Sequence, residues 1–170
     1  LQRAVNETVE ALEAFRFNDA ANTVYHFVWH ELCDWYIELS KEALYGDEAD
    51  KKAAAQAVLV HCLKTSYLLL HPFMPFLTEE LWTRLPLAAR ESESIMVARW
   101  PTATGIFHDE PAAALLDQQI AIIGAVRIIR GENRIPPKTP LTLIVSAPDE
   151  ATAALALAAR GGLQLLANVG

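Results

Sequence analysis

The chain has 170 residues, 52 % of them hydrophobic, and a formal net charge of −7. That length fits one ordinary domain or a domain with a small appendage, and the apolar content excludes a disordered tail. The longest nearly uncharged run, Thr65 to Leu77, is broken by His71, Pro72 and Pro75 and is shorter than the ~20 residues that cross a bilayer, so no membrane span is predicted.

The first residues, Leu1 to Glu7, carry neither an initiator Met nor the basic-then-apolar layout of a secretory signal, and they read as the start of an excised piece. Cys33 and Cys62 have no neighbours at metal-knuckle spacing, which points to a reducing, cytoplasmic setting. The acidic balance argues against phosphate binding over most of the chain, because that binding rests on Lys and Arg. The distribution is uneven: residues 1 to 100 hold nine Lys/Arg against fifteen Asp/Glu, whereas Arg127 to Lys138 holds Arg127, Arg130, Arg134 and Lys138 against Glu132 alone. The second stretch suits a basic patch.

The elements follow in chain order. Val5, Val9, Leu12 and Phe15, at steps of four and three, predict an amphipathic first helix from Gln2 to Phe15. Asn18 is placed to cap a second helix, with Phe17 before it as a hydrophobic staple. Val24, Val28, Leu32, Trp35 and Leu39 give that helix its apolar stripe, which Tyr25, Phe27, Trp29 and Tyr36 widen into a face for more than one neighbour. Gly46 and the charged run Asp47 to Lys52 make a connection. Val60, Leu63, Tyr67 and Leu70 then mark a third helix, ended by His71-Pro72. A fourth starts at Pro75, presents Leu77, Leu81, Trp82 and Leu85 to the core, and closes at Pro86, with Glu79 and Glu80 assigned to its positive N-terminal end.

Residues 87–108 read as a linker with a short strand over Ser94 to Ala98. Asp109 caps a long helix with Pro111 in its first turn; Leu116, Ile120, Ile123 and Val126 run inward to about Asn133, and Pro136-Pro137 stops it. Leu141 to Val145 is β-branched enough for a strand, whose partner within the chain is the piece around Ile95 to Ala98. Ser146 and Asp149 make a capping-box signature for the next helix. The expected fold is therefore mainly α: a helical bundle over 1–86, the linker, and a helix-strand-helix α/β appendage over 109–170, lacking a further strand.

Four blocks carry a specific resemblance. Phe15-Arg16-Phe17-Asn18-Asp19-Ala20-Ala21 leads into Phe27-Val28-Trp29-His30-Glu31-Leu32-Cys33-Asp34-Trp35-Tyr36-Ile37-Glu38. His71-Pro72-Phe73-Met74-Pro75-Phe76-Leu77-Thr78-Glu79-Glu80-Leu81-Trp82 follows. After it come Ser94 to Pro101 and Val126 to Pro137. In this order the chain resembles the anticodon-binding region of bacterial valyl-tRNA synthetases. The second block is shared with the isoleucine and leucine enzymes, while Trp29-x-x-x-Cys33-Asp34-Trp35-Tyr36 leans to valine.

The resemblance implies a tRNA-binding module of a valine-tRNA ligase, partnered by a tRNA for valine and by the catalytic domain of the same polypeptide, with no DNA or membrane partner. ATP with magnesium would serve the parent's aminoacylation and editing. This chain has neither a His-x-Gly-His nor a Lys-Met-Ser-Lys-Ser segment, so no catalytic residue and no cofactor are assigned to it. Candidate tRNA contacts are Arg16, at the first interhelical turn, with Arg127, Arg130 and Arg134 at steps of three and four along one helical face, and Lys138. Tyr25, Trp29, Trp35 and Tyr36 have the rings to stack on bases, although aromatics at helical spacing are more often core. The rival reading is a scaffold that braces the catalytic domain, or the equivalent domain of an isoleucyl- or leucyl-tRNA synthetase.

Other constellations carry less. His26, His30 and Cys33, at i, i+4 and i+7, would need His61 or Cys62 to complete a metal site, and none is assigned. His30-Glu31 lacks a metalloprotease's second His, since Asp34 stands there. Glu79 and Glu80 point about 100° apart on a helix and cannot share a substrate as acid and base.

Overall fold

The computed structural model describes residues 1–104, 109–158 and 160–169. The chain divides into two compact units, Leu1–Phe107 and His108–Gly170. The end of the predicted linker, 105–108, lies outside the described residues.

In the first unit, α1 (Gln2–Glu13) buries Ala4, Val5, Thr8 and Ala11, a stripe rotated about one position from the predicted Val5, Val9, Leu12 and Phe15. Small side chains let a neighbouring helix approach closely, and the buried Thr8 hydroxyl is satisfied within the helix, donating to the Ala4 carbonyl at 2.6 Å. The helix closes in a Schellman turn: Arg16 N–H reaches the Ala11 carbonyl at 2.8 Å and Phe15 N–H the Leu12 carbonyl at 3.0 Å. Phe15 occupies the left-handed position, with φ 56°.

This tight turn starts α2 (Phe17–His26) directly after Arg16, with no side-chain cap. Asn18 thus lies inside the first turn and is not the cap. Phe17 is exposed against Phe15, rings edge-on at 6.2 Å, so it is not the predicted staple.

From α2 the chain passes without a break into eleven π-helical residues, Phe27–Ile37, and then α3 (Glu38–Tyr45). The wider i→i+5 coil turns the side chains out of the 3.6-residue register. Val24, Phe27 and Leu32 are buried, Val28, Trp35 and Leu39 only half-buried, and Tyr25 and Trp29 face solvent. Gly46 ends α3 where a Cβ would meet the Glu42 carbonyl oxygen at 2.7 Å, which excludes any larger residue.

In α4 (Ala49–Leu70) the buried residues are Thr65, Ser66, Leu68 and Leu69. The predicted Val60, Leu63, Tyr67 and Leu70 are half-buried beside them. Of the two hydroxyl residues that enter the core, Ser66 has its polar group satisfied within the helix, its Oγ donating to the Cys62 carbonyl at 2.7 Å.

Proline at its first turn opens α5 (Pro75–Arg84), as predicted. Trp82 and Leu85 pack with Leu68 and Ile95, and Trp82 Nε1 donates to the Ser92 carbonyl at 3.0 Å. Leu77, expected in this face, is half exposed. Glu79 and Glu80 lie beyond the first turn: Glu79 accepts from Ser94 Oγ at 2.9 Å and Glu80 pairs with Arg84 at 2.7 Å, so side-chain ties replace the expected helix-start role.

Residues 87–104 belong to this unit and do not cross it as a bare linker. The predicted strand over Ser94 to Ala98 is a 3₁₀ turn, Ile95–Val97, whose Met96 N–H is capped by Ser94 Oγ at 3.2 Å. Ile95 enters the core while Met96 and Val97 stay exposed. One anchoring apolar residue fixes a turn here, and strand alternation is not needed.

In the second unit, Asp109 Oδ1 accepts from Ala112 N–H at 3.0 Å and starts α6 (Glu110–Glu132), with Pro111 in its first turn and Asn133 at its end, as the sequence predicts. Its buried residues are Ile123, Val126 and Arg130. Leu141 to Val145 does not form the predicted strand, and no strand forms among the described residues. A single parallel bridge joins Leu141 to Val169, with Leu141 N–H on the Asn168 carbonyl at 3.3 Å. Asp149, not Ser146, caps α7 (Glu150–Ala158), accepting from Thr152 N–H at 2.7 Å. α8 (Arg160–Ala167) follows. The α/β appendage is thus corrected to a helical unit with one β-bridge.

By length and composition alone, α4 and α6 are apolar enough to cross a membrane. Within its unit α4 packs on α2, α3 and α5 and keeps Lys64 in an ion pair with Glu91, the condition of a bundle helix.

Candidate nucleic-acid interface

Arg16 follows the left-handed Phe15 in the turn that joins α1 to α2. Its guanidinium donates to Asp19 Oδ2 at 3.0 Å, with both side chains more than half exposed. Such a pair contributes little to stability, so exchanging the carboxylate for an RNA phosphate is inexpensive. The bulky Phe15 holds a conformation usually left to glycine, at a cost of about 1–2 kcal/mol, and is 80 % exposed.

Further along, Tyr25 in α2 and Trp29 in the π-helical stretch present their rings to solvent, 58 % and 54 % exposed. The rings are parallel to within 5°, with centroids 6.3 Å apart, and His30 meets Tyr25 edge-on at 6.2 Å. Two parallel exposed rings are the surface on which unstacked RNA bases settle. Trp35 and Tyr36 are half-buried, and Tyr36 Oη donates to the Ala55 carbonyl at 3.4 Å while burial pushes its phenol pKa up. Aromatics that looked equivalent in the sequence therefore divide into a packed pair and an open pair. The π-helical register that divides them leaves no Gly or Pro in Phe27–Ile37 to announce it.

The imidazoles beside this surface have carboxylate neighbours. His30 Nδ1 lies 3.3 Å from Asp34, and His26 Nδ1 lies 3.6 Å from Glu31, which also accepts from Arg3 at 3.2 Å. Cys33 is exposed, and the half-buried Cys62 thiol is pushed up by desolvation. Among the described residues no three His, Cys, Asp or Glu side chains are placed to hold a metal ion.

The basic stretch of the second unit does not form one arginine face. Arg127 is exposed, but Arg130 is buried at 6 % exposure. Its guanidinium donates to the carbonyls of Pro136 at 3.1 Å, Ala167 at 3.0 Å and Asn168 at 3.0 Å. Arg130 is thus a structural cation that ties α6 to the end of α8. Arg134 has left the helix: with φ 53° it is the left-handed residue of a second Schellman turn, in which Ile135 N–H reaches the Arg130 carbonyl at 2.8 Å. Arg134 and Lys138 are exposed on the turn that follows.

Comparison with known proteins bears on what these surfaces serve. A family model described as "Anticodon-binding domain of tRNA ligase" matches residues 1–145. A valine-tRNA ligase of Syntrophotalea carbinolica is 42 % identical over 163 residues, and one of Geobacillus stearothermophilus 41 % identical over 168; each alignment covers 96 % of this chain. One of Geobacter sulfurreducens is 47 % identical over 146 residues, covering 86 % of the chain. The chain spans only 16 to 19 % of the length of these relatives. With a matching model over most of its length, a helical bundle and this run of relatives, the chain belongs to the family of anticodon-binding domains of tRNA ligases.

Proposed function

We propose that this chain holds the anticodon stem-loop of a tRNA for valine, as the RNA-binding module of a cytoplasmic valine-tRNA ligase. The observation that carries the reading is the open Tyr25–Trp29 pair in a domain of this family: two large rings left parallel in solvent offer stacking of about 1–3 kcal/mol per base. Arg16, Arg127, Arg134 and Lys138 would supply phosphate contacts, which fix position without reading sequence. Aminoacylation and editing, with ATP and magnesium, would fall to the parent's catalytic part; this chain supplies RNA positioning and no chemical step.

The test is a titration with a valine-accepting and a non-cognate tRNA at low and at physiological salt. Preferential, salt-sensitive binding of the first supports the reading, and equal or absent binding of both refutes it. Replacing Arg16, Arg134 and Lys138 together by Glu should weaken binding and make the salt slope shallower by about one for each phosphate no longer neutralised.

A scaffold role, bracing the catalytic part, is favoured by one observation. The most buried cation of the basic stretch, Arg130, serves the fold. On that reading the Glu variants bind tRNA as the unaltered chain does.

A further inference from the structure

We infer that a cleft in the first unit, between α1, α4 and residues 90–104, takes one unstacked ribonucleotide of a bound RNA, its phosphate on Arg99 and its base against Trp100. This rests on the RNA-binding reading above and adds a second contact remote in sequence from Tyr25 and Trp29.

The cleft measures about 430 Å³, and Gln2, His61, Lys64, Arg99 and Trp100 are among its lining residues. Among its side chains, the charge is set by three groups. The Lys64 ammonium, largely buried, is hydrogen-bonded to the Glu91 carboxylate, and Arg99 adds to the positive field on the same carboxylate. Two cations over one carboxylate leave a net positive cleft on a chain whose total charge is −7. Lys64 is committed to Glu91, whereas Arg99 is exposed and none of the salt bridges among the described residues involves it. A cleft of net positive charge draws an anion towards its exposed cation.

The walls are fixed before any ligand arrives. Ile95 anchors the 90–104 segment in the core, Trp82 Nε1 ties it through the Ser92 carbonyl at 3.0 Å, and Thr104 N–H donates to Gln2 Oε1 at 2.9 Å on the other side. A preformed wall lowers the ordering cost of binding. Trp100, adjacent to Arg99, adds an aromatic surface. A guanidinium next to an indole in a recess matches the chemistry of one nucleotide, phosphate on the first and base on the second.

The experiment titrates the 170-residue chain, and its Arg99→Ala, Arg99→Lys and Trp100→Phe variants, with the valine tRNA, a single-stranded RNA of its anticodon loop, and 5′-AMP. Circular dichroism checks that each variant folds. Arg99→Ala should weaken tRNA binding by roughly five- to tenfold and lower the salt slope by about one, while Arg99→Lys keeps the slope. Trp100→Phe should remove part of the tryptophan quenching that RNA produces, Trp29 supplying the rest. If the unaltered chain binds tRNA and Arg99→Ala changes neither affinity nor slope, the cleft inference falls and the domain's RNA-binding reading stands. Arg99-dependent binding of 5′-AMP without any of the RNA would overturn it in favour of a small-ligand site. Failure of the unaltered chain to bind tRNA removes both.

Discussion

Arg130 shows how a residue's role turns on which way its helix face points. Its position within a basic stretch suggests RNA, yet three carbonyl oxygens hold its guanidinium inside the second unit. Arg130→Ala should therefore lower the stability of that unit by on the order of 3 kcal/mol, since charged hydrogen bonds disappear and buried carbonyls are left bare. Chemical denaturation followed by hydrogen exchange in α6 and α8 would measure it, and a near-silent result would return Arg130 to the surface. Phe15 makes the opposite case. Its left-handed backbone at φ 56° is strained, so Phe15→Gly should raise stability by about 1 kcal/mol despite the entropy glycine adds to the unfolded chain; a fall would show that the ring's packing on Phe17 outweighs the strain.

Glu91 carries a pH signature. The hydrogen bond from Lys64, with the fields of Lys64 and Arg99, holds its carboxyl below the usual range. A carboxyl whose folded pKa is depressed stabilises the fold above its unfolded value of about 4.3, and that contribution is lost as pH falls through the lower folded value. The unaltered chain should thus be more stable than Glu91→Gln at neutral pH, with the gap closing only below about pH 4.3. A gap independent of pH would mean that the pair contributes packing alone.

At the scale of elements, the helices were legible where local chemistry decides. Asp109 with Pro111 starts α6, Pro75 starts α5, and His71-Pro72 ends α4. What was not legible depends on contacts distant in sequence. The Schellman turn after α1 displaced the Asn18 cap, the anchoring of Ile95 replaced a strand by a 3₁₀ turn, and the π-helical Phe27–Ile37 stretch re-aimed a stripe read with a 3.6-residue period. The candidate site followed the same division. Arg16 and the aromatics were named from sequence, but which aromatics face outward needed the register of that stretch. Asp149→Ala should destabilise α7 by about 0.5–2 kcal/mol and Ser146→Ala should do little. Comparing the two by thermal unfolding checks the corrected cap.

For the molecule as a whole, each of the two compact units carries its own candidate contacts. The first supplies an open aromatic surface, an arginine turn and the Arg99 cleft; the second supplies Arg127, Arg134 and Lys138. On the proposed reading, an acidic chain of this kind would hold RNA through a few local sites and not through a broad positive field. Its salt dependence should accordingly be shallow, with a slope set by a handful of phosphates.

The most direct measurement of the central claim is the affinity of a valine-accepting tRNA for this chain and for its Tyr25→Ala/Trp29→Ala variant, with thermal unfolding of both. Both rings are more than half exposed, so each substitution should change stability by less than about 1 kcal/mol, while removal of the stacking surface should weaken binding by about 1–3 kcal/mol per base. A variant that keeps its fold and binds more weakly is the predicted result. A variant that binds tRNA as tightly as the unaltered chain would contradict the account.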